Sequence, residues 1–186
     1  MRYQPVPIVL VCAAAVGAPG LVVTKAFAAD YLSVEQAQKA IFADATSFEP
    51  VALALSADQL KQLADRAGGP ARPGTWRVWR AVQGDKPLGY VITDAVIGKF
   101  ELISYAVGLN PAGDIVDVEI LSYRESHGYE VRNKPWRAQF TGKSAKAPLR
   151  IGEDINNISG ATLSCTHLTD GIRRIAVMAQ LALVKG

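Results

Sequence analysis

Four runs of alternating or β-branched residues, joined in two pairs by short turn signals, constrain this chain more than any other feature. Trp76 to Val82 and Leu88 to Ile97 flank Gly84-Asp85-Lys86, while Glu101 to Leu109 and Asp114 to Tyr123 flank Asn110-Pro111-Ala112-Gly113. Glycine tolerates the backbone angles of tight turns and Asn-Pro initiates them, so each pair predicts an antiparallel hairpin. In the last run Val116, Val118 and Ile120 point one way and Asp117 and Glu119 the other, the pattern of a sheet with one wet face. Trp76 and Trp79 stand an odd number of residues apart and are expected on opposite sides of their strand, one in the core and the other under a loop or a ligand. The expected fold is α+β, an antiparallel sheet of four or more strands covered by helices on one face.

Three helical patterns supply that cover. Ser33 is placed to cap Val34 to Phe42 and Ser56 to cap Ala57 to Ala64, the latter running out at Gly68-Gly69-Pro70. Val34, Ala37 and Ile41 share one face, as do Leu60, Leu63 and Ala64. A third helix is expected from Ala161 to about Val184, with Ile172, Ile175, Ala176, Ala179 and Leu183 as its apolar stripe and Ser159 as its N-cap. At 186 residues, 49% hydrophobic and 20% charged, the chain suits one core. Residues 68–74, rich in Gly, Pro and Arg, are too short to separate two domains. The expected organisation is a leader over 1–28, a helical segment over 29–74 and a main domain over 75–186, the last two forming one globular unit.

The leader reads as a secretory signal peptide. Arg2 supplies positive charge, Val6 to Val16 an apolar stretch ended by Pro19-Gly20, and Ala26-Phe27-Ala28 a cleavage site before Ala29. The expected location is periplasmic. Val6 to Val23 is also long enough to span a bilayer, which leaves an uncleaved anchor on the outer face of the membrane as the competing reading. Cys12 follows Val11 and not a small residue, which speaks against a lipoprotein site. Removing the leader leaves Cys165 alone, so no disulfide forms within the mature chain, and a lone thiol at that place reads as packing. It also removes Arg2 and Lys25, leaving 18 of the 20 basic residues against 17 acidic ones. A chain so balanced gives no case for binding nucleic acid.

The polar run Asp154-Ile155-Asn156-Asn157-Ile158-Ser159-Gly160-Ala161-Thr162-Leu163-Ser164 stops where the last helix starts. A helix start offers free N–H groups and the positive end of the helix dipole, so a hydroxyl there stands beside a place for a phosphate. Other chemistries lack their residues. His127 and His167 have no second ligand at metal spacing, since Cys165 and His167 diverge on a helix. Cys-x-x-Cys-His, Gly-x-Gly-x-x-Gly and Gly-x-Ser-x-Gly are absent.

Ser159-Gly160-Ala161-Thr162, with Asp154 upstream, resembles the flavinylation motif of the FMN-binding domain family, which includes the C subunit of the sodium-pumping NADH:quinone oxidoreductase and the G subunit of the Rnf complex. Tyr123-Arg124-Glu125-Ser126-His127-Gly128-Tyr129-Glu130 stands where that family has a Glu-Thr-Pro-Gly-Leu-Gly-like loop, followed by an aromatic-rich helix and Gly-Lys, here Trp136 to Phe140 and Gly142-Lys143. The match departs at Ser126, His127 and Tyr129, so only Glu125 and Gly128 carry over. The resemblance covers roughly residues 88–184. It implies FMN joined by a phosphoester to Thr162, with Ser159, Gly160, Ala161, Leu163, Ser164 and Asp154 around it, Glu125 and Gly128 bordering the flavin, and no metal or catalytic residue of its own. It also implies a separate flavin transferase as partner, because no base neighbours Thr162 in the sequence. The function expected is electron relay between redox donor and acceptor proteins, some of them membrane-bound. A non-redox binding or structural module, using the same pocket for a small phosphorylated ligand, is the alternative. The 125–128 loop also reads as a plain strand-to-helix connection with Glu125 solvated.

Overall fold

The computed structural model describes residues 29–69 and 76–184; the expected leader over 1–28 and most of the expected 68–74 linker lie outside the described residues. Six strands form one antiparallel sheet: β1 (Ala29–Asp30), β2 (Ser47–Val51), β3 (Arg77–Gln83), β4 (Lys86–Ile97), β5 (Leu102–Leu109) and β6 (Ile115–Tyr123), in the spatial order β1-β6-β5-β4-β3-β2. The helices are α1 (Val34–Ile41), α2 (Ala57–Ala67), α3 (Lys134–Arg137) and α4 (Thr162–Ala182), with 3-10 turns at Tyr129–Arg132 and Ala138–Phe140. This is the α+β class expected, with the two hairpins at the expected places.

Both N-terminal helices begin in the way the sequence indicated. Ser33 Oγ accepts from Gln36 N and Gln36 Oε1 from Ser33 N, and Ser56 and Gln59 repeat the arrangement. Each reciprocal pair satisfies two donors that a helix start would otherwise leave open. Gly68 ends α2 in a left-handed conformation.

Helices cover both faces of the sheet, where the sequence pattern had placed them on one. On the first face α2 and α4 bury Leu63, Leu168, Ile172 and Ile175 against Val78, Ile92, Ile103, Tyr105, Val107 and Val118. On the second, α1 sets Ala37, Ile41 and Phe42 against Ala81, Val91, Ala106 and Leu121. The positions of β3, β4 and β5 that meet α1, Ala81, Val91 and Ala106, are thus small and apolar, while β6 carries Asp117 and Glu119 on that side. Gly108 of β5 lets α1 come close, since a Cβ would stand 2.1 Å from Ile41 Cγ2. Asp117 and Glu119 do leave the first face, but both carboxylates turn to Arg137, at 3.7 and 2.8 Å from its Nη1.

Two bulges in the β5–β6 ladder correct the expected alternation. Gly108 pairs with Asp117 and Leu109 with Ile115, so Val116 is the extra residue and packs on the second face and not beside Val118. A bulge adds one residue to one strand and so turns a side chain to the other side. The second bulge, between Ser104 and Tyr105, does the same for Leu121. Trp76 is buried on the first face, its indole N–H donating to Asp94, and Trp79 is half-buried.

Two elements escaped the sequence reading. β1 is two residues long, and β2 contains Pro50, which a central strand would exclude. Both lie at the edges of the sheet, where a missing N–H breaks no inner ladder.

Candidate functional site

One end of the sheet gathers the exit of β4, the start of β5, the exit of β6 and the first turn of α4. The turn between β4 and β5 closes with Gly98 N donating to Glu101 O at 2.8 Å. Its tip has no further partner of its own. Glu125 fills that gap: Oε1 accepts from Phe100 N at 2.6 Å and Glu101 N at 2.9 Å. Burial acts to raise the Glu125 carboxyl, but N–H bonds from Glu101, Phe100 and Lys99, with the charge of Lys99, hold it below the usual glutamate value. Glu125 is therefore a buried clasp, not a solvated loop residue. His167 braces the same turn from α4, with Nδ1 at 2.6 Å from Ile97 O and 2.9 Å from Gly98 O. A carbonyl only accepts, so Nδ1 carries the hydrogen.

The loop after β6 is tied to α4 through Tyr123. Its hydroxyl donates to His127 O and lies 3.2 Å from Ser164 Oγ. A phenol has one hydrogen to give, so Ser164 is the donor of the second bond. Burial raises the Tyr123 pKa and keeps that hydrogen in place. Gly128 sits at φ +86°, and a Cβ there would stand 2.6 Å from Ala161 Cβ and 2.7 Å from Tyr123 Oη. Only glycine combines that angle with that approach. Glu125 and Gly128 thus both touch the motif's surroundings, one through the turn at 98–101 and the other through Ala161.

The start of α4 departs from the sequence reading. The N-cap is Ala161, with no side-chain cap bond, and Ser159 is exposed two residues before it. Gly160, at φ +82°, reverses the chain, and Ala161 N bonds Ile158 O at 3.0 Å. That turn carries Ser159 away from the helix axis, so the serine cannot reach the donors it was expected to cap. The first intrahelical bond runs from Cys165 N to Ala161 O. The N–H groups of Thr162, Leu163 and Ser164 therefore precede the ladder and stand at the positive pole of a 21-residue helix.

A cavity of about 520 Å³ opens between Lys99 and Phe100, the 125–127 loop and residues 160–164. That volume lies in the range of small-molecule sites. Thr162 is exposed toward it, with Oγ1 accepting from Asn157 Nδ2 at 2.9 Å. The cavity brings together Glu125, Gly160, Ala161, Thr162, Leu163 and Ser164. It does not include Asp154, which closes the loop before the motif. Asp154 accepts from Arg150 N at 2.9 Å and Leu149 N at 3.3 Å, and Lys143 Nζ lies 3.2 Å away. Burial raises its carboxyl, yet those donors leave it below the usual aspartate value. Asn157, Lys99 and Phe100 were not singled out in the sequence. Asn157 sits inside the motif run, where an amide five residues before a helix hydroxyl is the available signal; nothing local marks Lys99 or Phe100.

The arrangement suits an esterified phosphate. Three N–H groups that precede the helix ladder, a nearby lysine and an exposed hydroxyl share one opening, a setting that suits a phosphate group. Cys165 lies buried behind the first turn, its thiol pushed up by burial, and serves as packing. Among the described residues no group of three potential metal ligands occurs, and no helix is long and apolar enough to cross a membrane.

Residues 98–177 match the family described as the FMN-binding domain. An alignment 104 positions long, which takes in 51% of this chain, is 30% identical to the G subunit of the proton-translocating ferredoxin:NAD(+) oxidoreductase complex of Clostridium ljungdahlii, of which it covers 56%. The chain therefore matches little more than half the length of that relative.

Proposed function

We propose, from the premise that residues 98–177 are a domain of the FMN-binding family, that this chain is an electron-transfer flavoprotein whose FMN is esterified to Thr162. One observation carries the reading: of the three hydroxyls among the described residues that line the cavity, that of Thr162 alone is both exposed and in the first turn of α4, since Ser164 is buried and committed to Tyr123 and Ser126 lies on the opposite loop paired with His127. Asn157 holds the Thr162 oxygen by donating to it, which leaves the hydroxyl hydrogen free to depart when the ester forms. The phosphodiester keeps one negative charge, which the first turn of α4 and Lys99 stabilise. Bound FMN supplies one- and two-electron redox chemistry, and the protein supplies placement and tuning. Among the described residues no acid or histidine is hydrogen-bonded to Thr162, which supports a separate flavin transferase as the agent that forms the bond.

The likeness to a component of a membrane redox complex supports redox donors and acceptors in or at a membrane as the partners. The leader sequence supports export, with Val6–Val23 either removed after Ala28 or kept as an anchor; sequencing the amino terminus of exported protein separates these, Ala29 first in one case and Met1 in the other.

The test is intact mass after coexpression with a flavin transferase. Wild-type chain gains the mass of FMN less one water, and Thr162→Ala does not. An adduct retained in Thr162→Ala, or none on the wild type, overturns the assignment.

A further inference from the structure

Of the described residues, Asp94 alone keeps a buried carboxylate oxygen, Oδ1, without a hydrogen-bond partner. Its other oxygen takes two hydrogens, from Trp76 Nε1 at 3.1 Å and from the Tyr105 hydroxyl at 3.2 Å. Burial and the Asp94 charge push the Tyr105 hydroxyl well above the usual tyrosine value, against the pull of Arg174, so the phenol keeps its hydrogen for that bond. The fold makes room for the pair in the middle of α4, since a Cβ on Gly171 would stand 2.1 Å from Tyr105 Oη and 3.0 Å from Val96 Cγ1. Glycine weakens a helix interior, so this close approach opposes the stability of α4. A neutral acceptor would satisfy both inner donors at a lower desolvation cost. The second oxygen is what a carboxylate adds.

Asp94 forms part of the wall of a cavity of about 290 Å³ between β4, the end of α2 and α4, to which α4 contributes His167, Asp170 and Arg174. Among the described residues this cavity shares no lining residue with the one beside Thr162. Its charged groups differ in how they are engaged. Asp170 is paired with Arg173 at 3.1 Å, whereas neither Asp94 nor Arg174 forms an ion pair with any described residue, each other included. A carboxylate and a guanidinium around one small cavity attract each other, and here the bonds from Trp76 and Tyr105 hold Asp94 in place on its own side. One negative and one positive group thus stand apart around a space just below the range of drug-sized sites. Among the described residues no group of three potential metal ligands occurs, so the partner that suits Oδ1 is an organic donor.

We propose that this cavity binds a small zwitterion, a molecule carrying both an ammonium group and a carboxylate as free amino acids do, with its ammonium on Asp94 and its carboxylate on Arg174. Each end meets the opposite charge, and a charge-assisted bond gives Oδ1 the hydrogen it lacks. Oδ1 is shielded from solvent in the free protein, so the wall parts as the ammonium enters, and the long Arg174 side chain, bound to no acid among the described residues, is the part able to move. A simple amine meets repulsion from Arg174 and a simple acid meets it from Asp94.

The test uses the full chain, isotope-labelled and produced without flavin transferase, titrated separately with glycine, L-alanine, L-serine, L-glutamate, β-alanine and γ-aminobutyrate while NMR follows the indole N–H signals. At least one probe should move the Trp76 signal saturably, because that N–H rests on the carboxylate that takes the ligand, and leave in place that of Trp136, which donates to Asn156 O. Methylamine and acetate, each carrying one charge, should bind about tenfold more weakly or less. Asp94→Asn keeps an acceptor for Trp76 and Tyr105 and puts a donor in place of Oδ1, so it should abolish the saturable movement. Arg174→Gln, outside the buried network, should raise the dissociation constant about tenfold or more, and it decides the matter if Asp94→Asn fails to fold. No saturable movement of Trp76 with any of these zwitterions, an equal response to methylamine or acetate, or unchanged affinity in Arg174→Gln overturns the proposal, and Asp94 is then a structural acceptor for Trp76 and Tyr105. Since no flavin is present, no outcome bears on the Thr162 adduct.

Discussion

Strand β5 begins at one turn and ends at another, and the two are held by opposite means. After Leu109, Asn110 Oδ1 accepts from Ala112 N and Asp114 N at 2.9 Å each, Gly113 N donates to Asn110 O, and Asn110 N to Asp114 O. Five consecutive residues satisfy one another. Before Leu102, the turn over 98–101 draws its acceptor from Glu125, in the loop after β6, and a donor from His167 on α4. A self-contained turn can be exchanged without notice elsewhere in the molecule. A turn that borrows its partners couples the cavity wall to two distant segments, so disturbing any of the three disturbs the site.

The largest effect is expected where that coupling is tightest. Gly128→Val puts a branched side chain at a left-handed position and into Ala161 and Tyr123, which should lower stability by about 3 kcal/mol through strain and overpacking. Thermal unfolding reads the loss, and the absorption of coexpressed flavin should shift because Ala161 moves with it. Next comes Glu125→Ala, which leaves Phe100 N and Glu101 N without their acceptor and should cost about 2 kcal/mol, seen also as faster hydrogen exchange at those two amides. The same carboxylate gives an acid dependence. Its folded pKa is depressed, so its contribution is present above the unfolded value near 4.5 and is lost as pH falls through the lower folded value. Glu125→Gln should flatten that part of the acid unfolding curve.

The self-contained turn supplies the contrast. Asn110→Ala should cost about 1 kcal/mol and leave flavin attachment and the amide exchange of Phe100 untouched; a change at Phe100 would show that the two turns are not independent. The smallest effect belongs to Ser159→Ala, expected within about 0.5 kcal/mol because the serine caps nothing. A loss of a full helix cap's worth, measured by denaturant unfolding, would place it back at the helix start.

What could be read from the sequence follows from the range of the forces involved. Hairpins, the Ser33 and Ser56 caps and the position at which α4 begins, though not its cap, are written by neighbours within a few residues, and all three were legible. The bulges at Val116 and Leu121 depend on how β6 meets β5, and α1's place on the second face depends on Gly108 and Ala106 offering room to Ile41. Neither is encoded locally. The same holds within the site. Thr162 and its motif lie in one run, whereas Lys99 and Phe100 join the cavity only because Glu125 and His167 fasten their turn. The misplaced cap at Ser159 is instructive, since serine before a helix is a sound signal, and Gly160 alone defeats it by turning the chain aside.

Helix α4 spans about 31 Å, and apart from its opening turn its inward side is sunk in the core through Leu168, Ile172, Ile175 and Ala179. A group bonded to Thr162, as proposed above, would thus be fastened to the end of a fixed mast. It can swing on its own linker, but the protein has no means of presenting and withdrawing it short of unfolding the sheet beneath. Under the proposed function, the gap an electron must cross would then be decided by how closely another molecule seats itself at this end, and selection for faster transfer would act on the shape of that seat and leave the mast alone.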